Sequence, residues 1–227
     1  MRHHFYGDRN DVWKWSVVLN ATESSKTPRS VVYVAMITQE QGHVFDPVPN
    51  ARPDVEEFFA AERAEFDKGP VRHVGRVRGL FEKLGMSIDI IDARYTHPGR
   101  VRYFQTVTDL LQRRPTARRD VVLLDPDTGI EPGKPDDTHV CLEQLRAVLD
   151  VLRPEDTLIV YQHQYHGTNW VEDAVRKLAK CLAVEPSIVR AVGDSRVRFL
   201  IAERGNPSDR KASAVVNNSP FGTNVPA

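Results

Sequence analysis

Cysteine is nearly absent from this chain. Cys141 and Cys181 lie far apart and outside any Cys-x-x-Cys pair, which argues against a disulfide framework and makes a reducing cytoplasm the expected setting. Net charge is absent too: 31 basic residues balance 31 acidic ones, so no global positive field points to nucleic acid. No window holds eighteen consecutive apolar residues, so no membrane span and no membrane partner are expected. The opening residues, MRHHFYGDRNDVWKW, contain no apolar core of the kind a secretory signal needs. Internal repeats are missing as well. What remains is a chain of 227 residues, 41% of them hydrophobic, enough for one sizeable core.

Hydrophobic periodicity divides that chain into alternating elements. Helices are expected over 12–19, 55–66, 71–84, 100–112, 142–152 and 171–182. Strands are expected at SVVYVAMI (30–37), MSIDIIDA (86–93), RDVVLLDP (119–126) and DTLIVYQH (156–163). SIVRAV and RVRFLIAE, joined by Gly193-Asp194-Ser195, read as a closing hairpin. The expected organisation is one Rossmann-like α/β domain over 1–205, with an N-terminal motif at 1–20 and an insertion at 39–68. The Asn-, Ser- and Pro-rich stretch 206–227 is expected to be a loose tail. Strands alternating with helices imply a mostly parallel sheet covered on both faces, with its active site outside the carboxyl ends of the strands.

Polar residues cluster at those ends. Thr38-Gln39-Glu40-Gln41 follows the first strand, Asp92 and Arg94 the second, Asp125 and Asp127 the third, and Gln162-His163-Gln164 the fourth. Asp125 and Asp127 stand two apart, so in extended chain they point the same way. Asp8 and Asp11 stand three apart and share a face at a helix start, with Lys14 one turn beyond to neutralise them or hold a phosphate. Asp8, Asp11, Asp125 and Asp127 would together suit Mg²⁺ or Mn²⁺ and metal-assisted phosphodiester cleavage. Plainer roles compete: Asp8 or Asp11 as a helix cap, Asp127-Thr128-Gly129 as an ordinary turn. His163 can be a general base, a metal ligand or a substrate donor, or a histidine satisfied by local backbone. Gln162 carries amide groups able to read a base edge. Arg113, Arg114, Arg118 and Arg119 fall at the opposite end of the sheet and are not expected to be catalytic.

A parallel α/β sheet finished by an antiparallel hairpin is the class I methyltransferase arrangement. GDRNDVWKW is similar to the N-terminal Gly-Asn-x-x-Asp-Val-x-Lys-His segment of the 23S rRNA adenine-N6 methyltransferase J family. Gly7, Asp11, Val12 and Lys14 match in register, while Asp8 and Trp15 depart. LLDPD resembles that family's Asp-Pro-Pro-Tyr at Asp125 and Pro126 and departs at Asp127 and Thr128. The chain also resembles an uncharacterised bacterial group that pairs YGD-x-x-D-x-x-K with DPDxG and YQH. The resemblance implies S-adenosylmethionine as cofactor and a nucleic-acid or nucleotide substrate. It makes Asp125 the acceptor for a target amino group, and the Asp8–Lys14 segment a cover over the substrate. Tyr161 or Trp170 would stack in place of the missing tetrad ring. Gln39, Glu40 and Asp92 are the residues expected to face the cofactor, although YVAMITQEQGHVFDP has one glycine, Gly42, where a glycine-rich turn belongs. Two other readings stand beside methyl transfer: a metal-dependent nuclease built on the four aspartates, and a non-catalytic module that binds nucleotides or a partner.

Overall fold

The structure is a computed structural model that describes residues 6–24, 29–38, 51–66, 73–165 and 168–203. Strand β1 (Arg29–Ala35) lies inside the sheet, and six of its seven residues are buried. That explains its unbroken apolar run, because a parallel strand packed on both faces has no side to give to water. Beside it run β2 (Ile88–Ile91) and β3 (Arg119–Asp125), both parallel to it; β6 (Thr157–His163) continues the parallel set beyond β3. β8 (Val197–Glu203) then pairs antiparallel with β6, and β7 (Arg190–Gly193) closes the edge, giving the order β2-β1-β3-β6-β8-β7. This is the Rossmann-like α/β arrangement expected from the sequence, a mostly parallel sheet finished by an antiparallel hairpin.

Two helical layers cover the sheet. Alternate β1 side chains divide between them as the period of a strand requires. Val31, Tyr33 and Ala35 face a core with helices α1 (Arg9–Glu23), α2 (Pro53–Phe66) and α3 (Arg78–Lys83). Val32, Val34 and Met36 face α4 (Arg100–Gln112), α5 (Leu142–Val151) and α6 (Trp170–Leu182). The strand order reverses around β1: its next strand lies on one side and β3 on the other. The topological switch point therefore falls between the carboxyl ends of β1 and β3.

Three boundaries differ from expectation. Residues 74–77 form a 3₁₀ turn before α3 rather than joining one long helix. Gly75 and Gly79 weaken helix there, and the His73 ring accepts from the Gly75 N–H, drawing that turn tight. Pro186–Ile188 is also 3₁₀, so the outer hairpin strand starts at Arg190, past the fixed φ of the proline. A two-residue parallel ladder, β4 (Gly129–Ile130) with β5 (His139–Val140), is too short for periodicity to reveal. Of the expected insertion only 51–66 lies within the described residues, and the expected tail lies outside them.

At the amino ends of the strands the arginines do structural work. Asp120 is 1% exposed; it binds Arg114 at 2.8 Å, Arg153 at 2.5 Å and the Ser30 hydroxyl at 2.6 Å. Removing one partner of such a buried set leaves uncompensated charge. Asp120→Ala is expected to lower unfolding free energy by about 3 kcal/mol in urea denaturation, and a loss below about 1 kcal/mol would contradict a buried ion network.

Candidate functional site at the carboxyl-end rim

Helix α1 starts at the rim because it runs opposite to β1: its far end meets the start of that strand, where Arg29 donates to the Ala21 carbonyl. The local sequence makes its first turn self-contained. Asp8 is the N-cap and accepts from the Asp11 N–H at 2.9 Å, while the Asp11 carboxylate reaches back to accept from the Gly7 N–H at 2.8 Å. This reciprocal cap satisfies amide groups that a helix start otherwise leaves open.

Lys14, one turn on, points into the sheet. Its Nζ lies 2.5 Å from Asp11 Oδ1 and 2.7 Å from Asp125 Oδ2, joining residues 111 positions apart. The Tyr33 hydroxyl donates to the same Asp125 oxygen at 2.7 Å. The rings of Tyr33 and Tyr161 each stand 5.8 Å from the ammonium, close enough for cation–π attraction. Asp11, Lys14, Tyr33 and Asp125 are all at most 2% exposed. Asp125, expected at the strand end as the acceptor for a target amino group, is instead a buried member of an ion network.

Charge sets the proton affinities here. Burial disfavours the Lys14 ammonium, but the carboxylates of Asp11 and Asp125 outweigh it and hold the group above its ordinary range. Burial raises Asp11, and the Asp125 charge adds to this against the pull of Lys14. Asp8 is pushed up to about 7, first by burial and then by the charge of Asp11. Tyr161 is driven far up by burial and then by the charges of Asp125, Asp8, Asp127 and Asp11, so all four aspartates lie within electrostatic reach of its hydroxyl.

The Asp-Pro-Asp-Thr-Gly turn leaves β3 beside this network and is clamped from β6. Gln162, 1% exposed, accepts from the Ile130 N–H at 2.9 Å and donates to the carbonyls of Thr128 and His163. Gly129 has φ +128°, and a Cβ there would overlap the Gln162 amide, so only glycine fits. The His163 N–H holds the Thr128 carbonyl at 2.8 Å, and the Thr128 hydroxyl bonds to Thr138. Asp127 rides half-buried on this fixed turn.

The sequence candidates thus separate. Asp11, Lys14 and Asp125 touch, Tyr161 adjoins them, and Asp8 is one cap bond away. The amide of Gln162 is committed to the turn rather than presented to a base edge, and the His163 Nδ1 lies 3.0 Å from the Gln164 carbonyl, the local-backbone role. Tyr161 packs edge-on to Phe199 and is buried, which removes it as a stacking platform. Asp92 stands at the end of β2, 3.9 Å from His73. Gln39 and Glu40 lie outside the described residues. The metal quartet of the alternative nuclease reading does not form: among the described residues no three His, Cys, Asp or Glu groups are placed to hold a metal ion, and the Lys14 ammonium already lies between Asp11 and Asp125. That donor set does not fit Mg²⁺ or Mn²⁺. Tyr33 was not foreseen, although one phenol in an aliphatic buried strand needs a partner for its hydroxyl.

Lys14→Met strands two buried carboxylates. It is expected to cost about 3–5 kcal/mol of unfolding free energy, whereas Asp125→Asn, which keeps an acceptor for Tyr33, should cost about 2 kcal/mol. Urea denaturation of both variants decides this, and a loss under about 1 kcal/mol for Lys14→Met would mean the ammonium is solvated.

No family model matches this chain, and no curated protein does. Among solved structures, an O-methyltransferase family protein from Burkholderia thailandensis aligns over 88% of this chain and 59% of its own at 11% identity, with a TM-score of 0.39. The chain thus spans less than two thirds of that protein. A "putative rRNA-methylase" from Clostridium thermocellum aligns over 83% of this chain and 97% of its own at 10% identity, with a TM-score of 0.31.

Proposed function

We propose that the chain is a methyltransferase-type enzyme that modifies nucleic acid or a nucleotide at the carboxyl-end rim. The observation that supports this is the junction at the switch point: α1 and β3 are joined there through Lys14, and Asp8 and Asp127 are left as the less buried carboxylates above a rigid base. Asp92 suits the ribose hydroxyls of S-adenosylmethionine. It follows β2 directly, and its side chain is 39% exposed. The cofactor would supply an electrophilic methyl group on sulfonium. Asp127 would accept the hydrogen bond, and then the proton, of the acceptor amino group, while Asp125, Lys14, Tyr33 and Gln162 hold the rim in shape. A non-catalytic nucleotide-binding module is the second reading, and the burial of Asp125 behind Lys14 and Tyr33 favours it.

Calorimetry with S-adenosylmethionine, followed by methyl transfer from labelled cofactor to total RNA, separates the two. Methyl transfer predicts binding that Asp92→Ala weakens about tenfold or more, and incorporation that Asp127→Asn lowers by about 10²-fold. Binding without incorporation supports the module, and no binding at millimolar cofactor would remove S-adenosylmethionine from the account.

A further inference from the structure

Among the described residues, charge at the first turn of α1 does not balance. Three carboxylates, Asp8, Asp11 and Asp125, meet one ammonium, Lys14, and Lys14 already binds two of them. Arg9 lies next to Asp8 in the chain but turns away to Asp194 of the β7–β8 hairpin, at 3.3 Å. From α2, Arg63 spends a guanidinium N–H on the Gly7 carbonyl at 3.2 Å, and the Glu62 carboxylate beside Tyr6 is already paired with Arg76 at 2.6 Å, so neither guanidinium is left for Asp8. From β1 and β6 the surroundings offer the phenols of Tyr33 and Tyr161, and beyond β3 lies a further carboxylate, Asp127. A charged Asp8 thus meets surplus negative charge in a partly dry setting, and a neutral Asp8 does not.

We propose that the first turn of α1 is a proton-operated latch: protonation of Asp8 tightens residues 6–11 against the rim, and loss of that proton loosens them. Asp8 retains a cap acceptor in either state, so the helix survives while its seating changes. Because the Asp8 carboxyl holds its proton to about 7 when folded, the folded chain binds more protons than the unfolded one between about pH 4 and 7. The contribution is complete below the unfolded value near 4 and is lost as pH rises through about 7. The latch would set how firmly the rim is closed near neutral pH, whatever reaction the rim supports, so it stands or falls apart from methyl transfer.

Hydrogen exchange resolved by peptide, corrected for the intrinsic pH dependence of exchange, tests this on the full chain at pH 5, 6, 7 and 8. Protection of the amides in 7–12 is expected to fall roughly tenfold or more from pH 5 to 8, while protection in β1 and β3 stays constant. Asp8→Asn, which caps as well but carries no charge, should hold protection level across the series, and Asp8→Ser, a second neutral cap, should behave alike. A wild-type profile that is flat, that loosens equally along the chain, or that either neutral variant reproduces would overturn the latch.

Discussion

The Lys14 ammonium between Asp11 and Asp125 is the contact on which the rest of the rim depends. Among the described residues it is the ionic tie between the N-terminal helix and β3, and it lies beneath the surface where water cannot weaken it. Taking such groups from water is costly, and a well-packed apolar replacement would hold the helix as firmly. What the ions add is direction. Hydrophobic contact alone would let α1 slide along the sheet, whereas an ammonium that must meet Asp11 on one side and Asp125 on the other fixes one register. That register puts Lys14 at the switch point, where Asp125 ends β3 and Tyr33 reaches in from β1.

The same logic governs the turn after β3. Asp125 is held from below by Lys14 and Tyr33, and the chain at Thr128 and Ile130 is held from the side by Gln162. Between these fixed points Pro126 restricts the backbone and Asp127 emerges with little freedom. The two most noticeable sequence motifs, Tyr-Gly-Asp-x-x-Asp-x-x-Lys and Asp-Pro-Asp-Thr-Gly, are therefore parts of one construction, and Tyr-Gln-His is its third wall. Carboxylates on such a base are preorganised, which is what a site handling a polar acceptor requires.

Much of the fold was legible because buried parallel strands advertise themselves. SVVYVA, VVLL and LIVY have no alternation to confuse the assignment, and their spacing admits the helices between them. The site was legible in part. Carboxyl-end placement gathered Asp125, Asp127 and Gln162 correctly on one rim, but sequence cannot say whether a strand-end side chain turns outward to substrate or inward to a partner. Asp125 and Gln162 turn inward, because Lys14 and the Gly129 turn claim them. Four carboxylates near one another read as metal ligands until the lysine between two of them has a position. Tyr33 stayed hidden inside an apolar run, and the break at Gly75 was masked by the hydrophobic spacing of its neighbours.

A double-mutant cycle between Lys14 and Asp125 measures the central contact directly. Unfolding free energies of wild type, Lys14→Met, Asp125→Asn and the double variant would give their coupling. A coupling on the order of 2–3 kcal/mol is expected, with the double variant more stable than the sum of the single losses allows. Losses that simply add, within about 0.5 kcal/mol, would mean the two residues do not meet in solution and that α1 is held to the rim by packing alone.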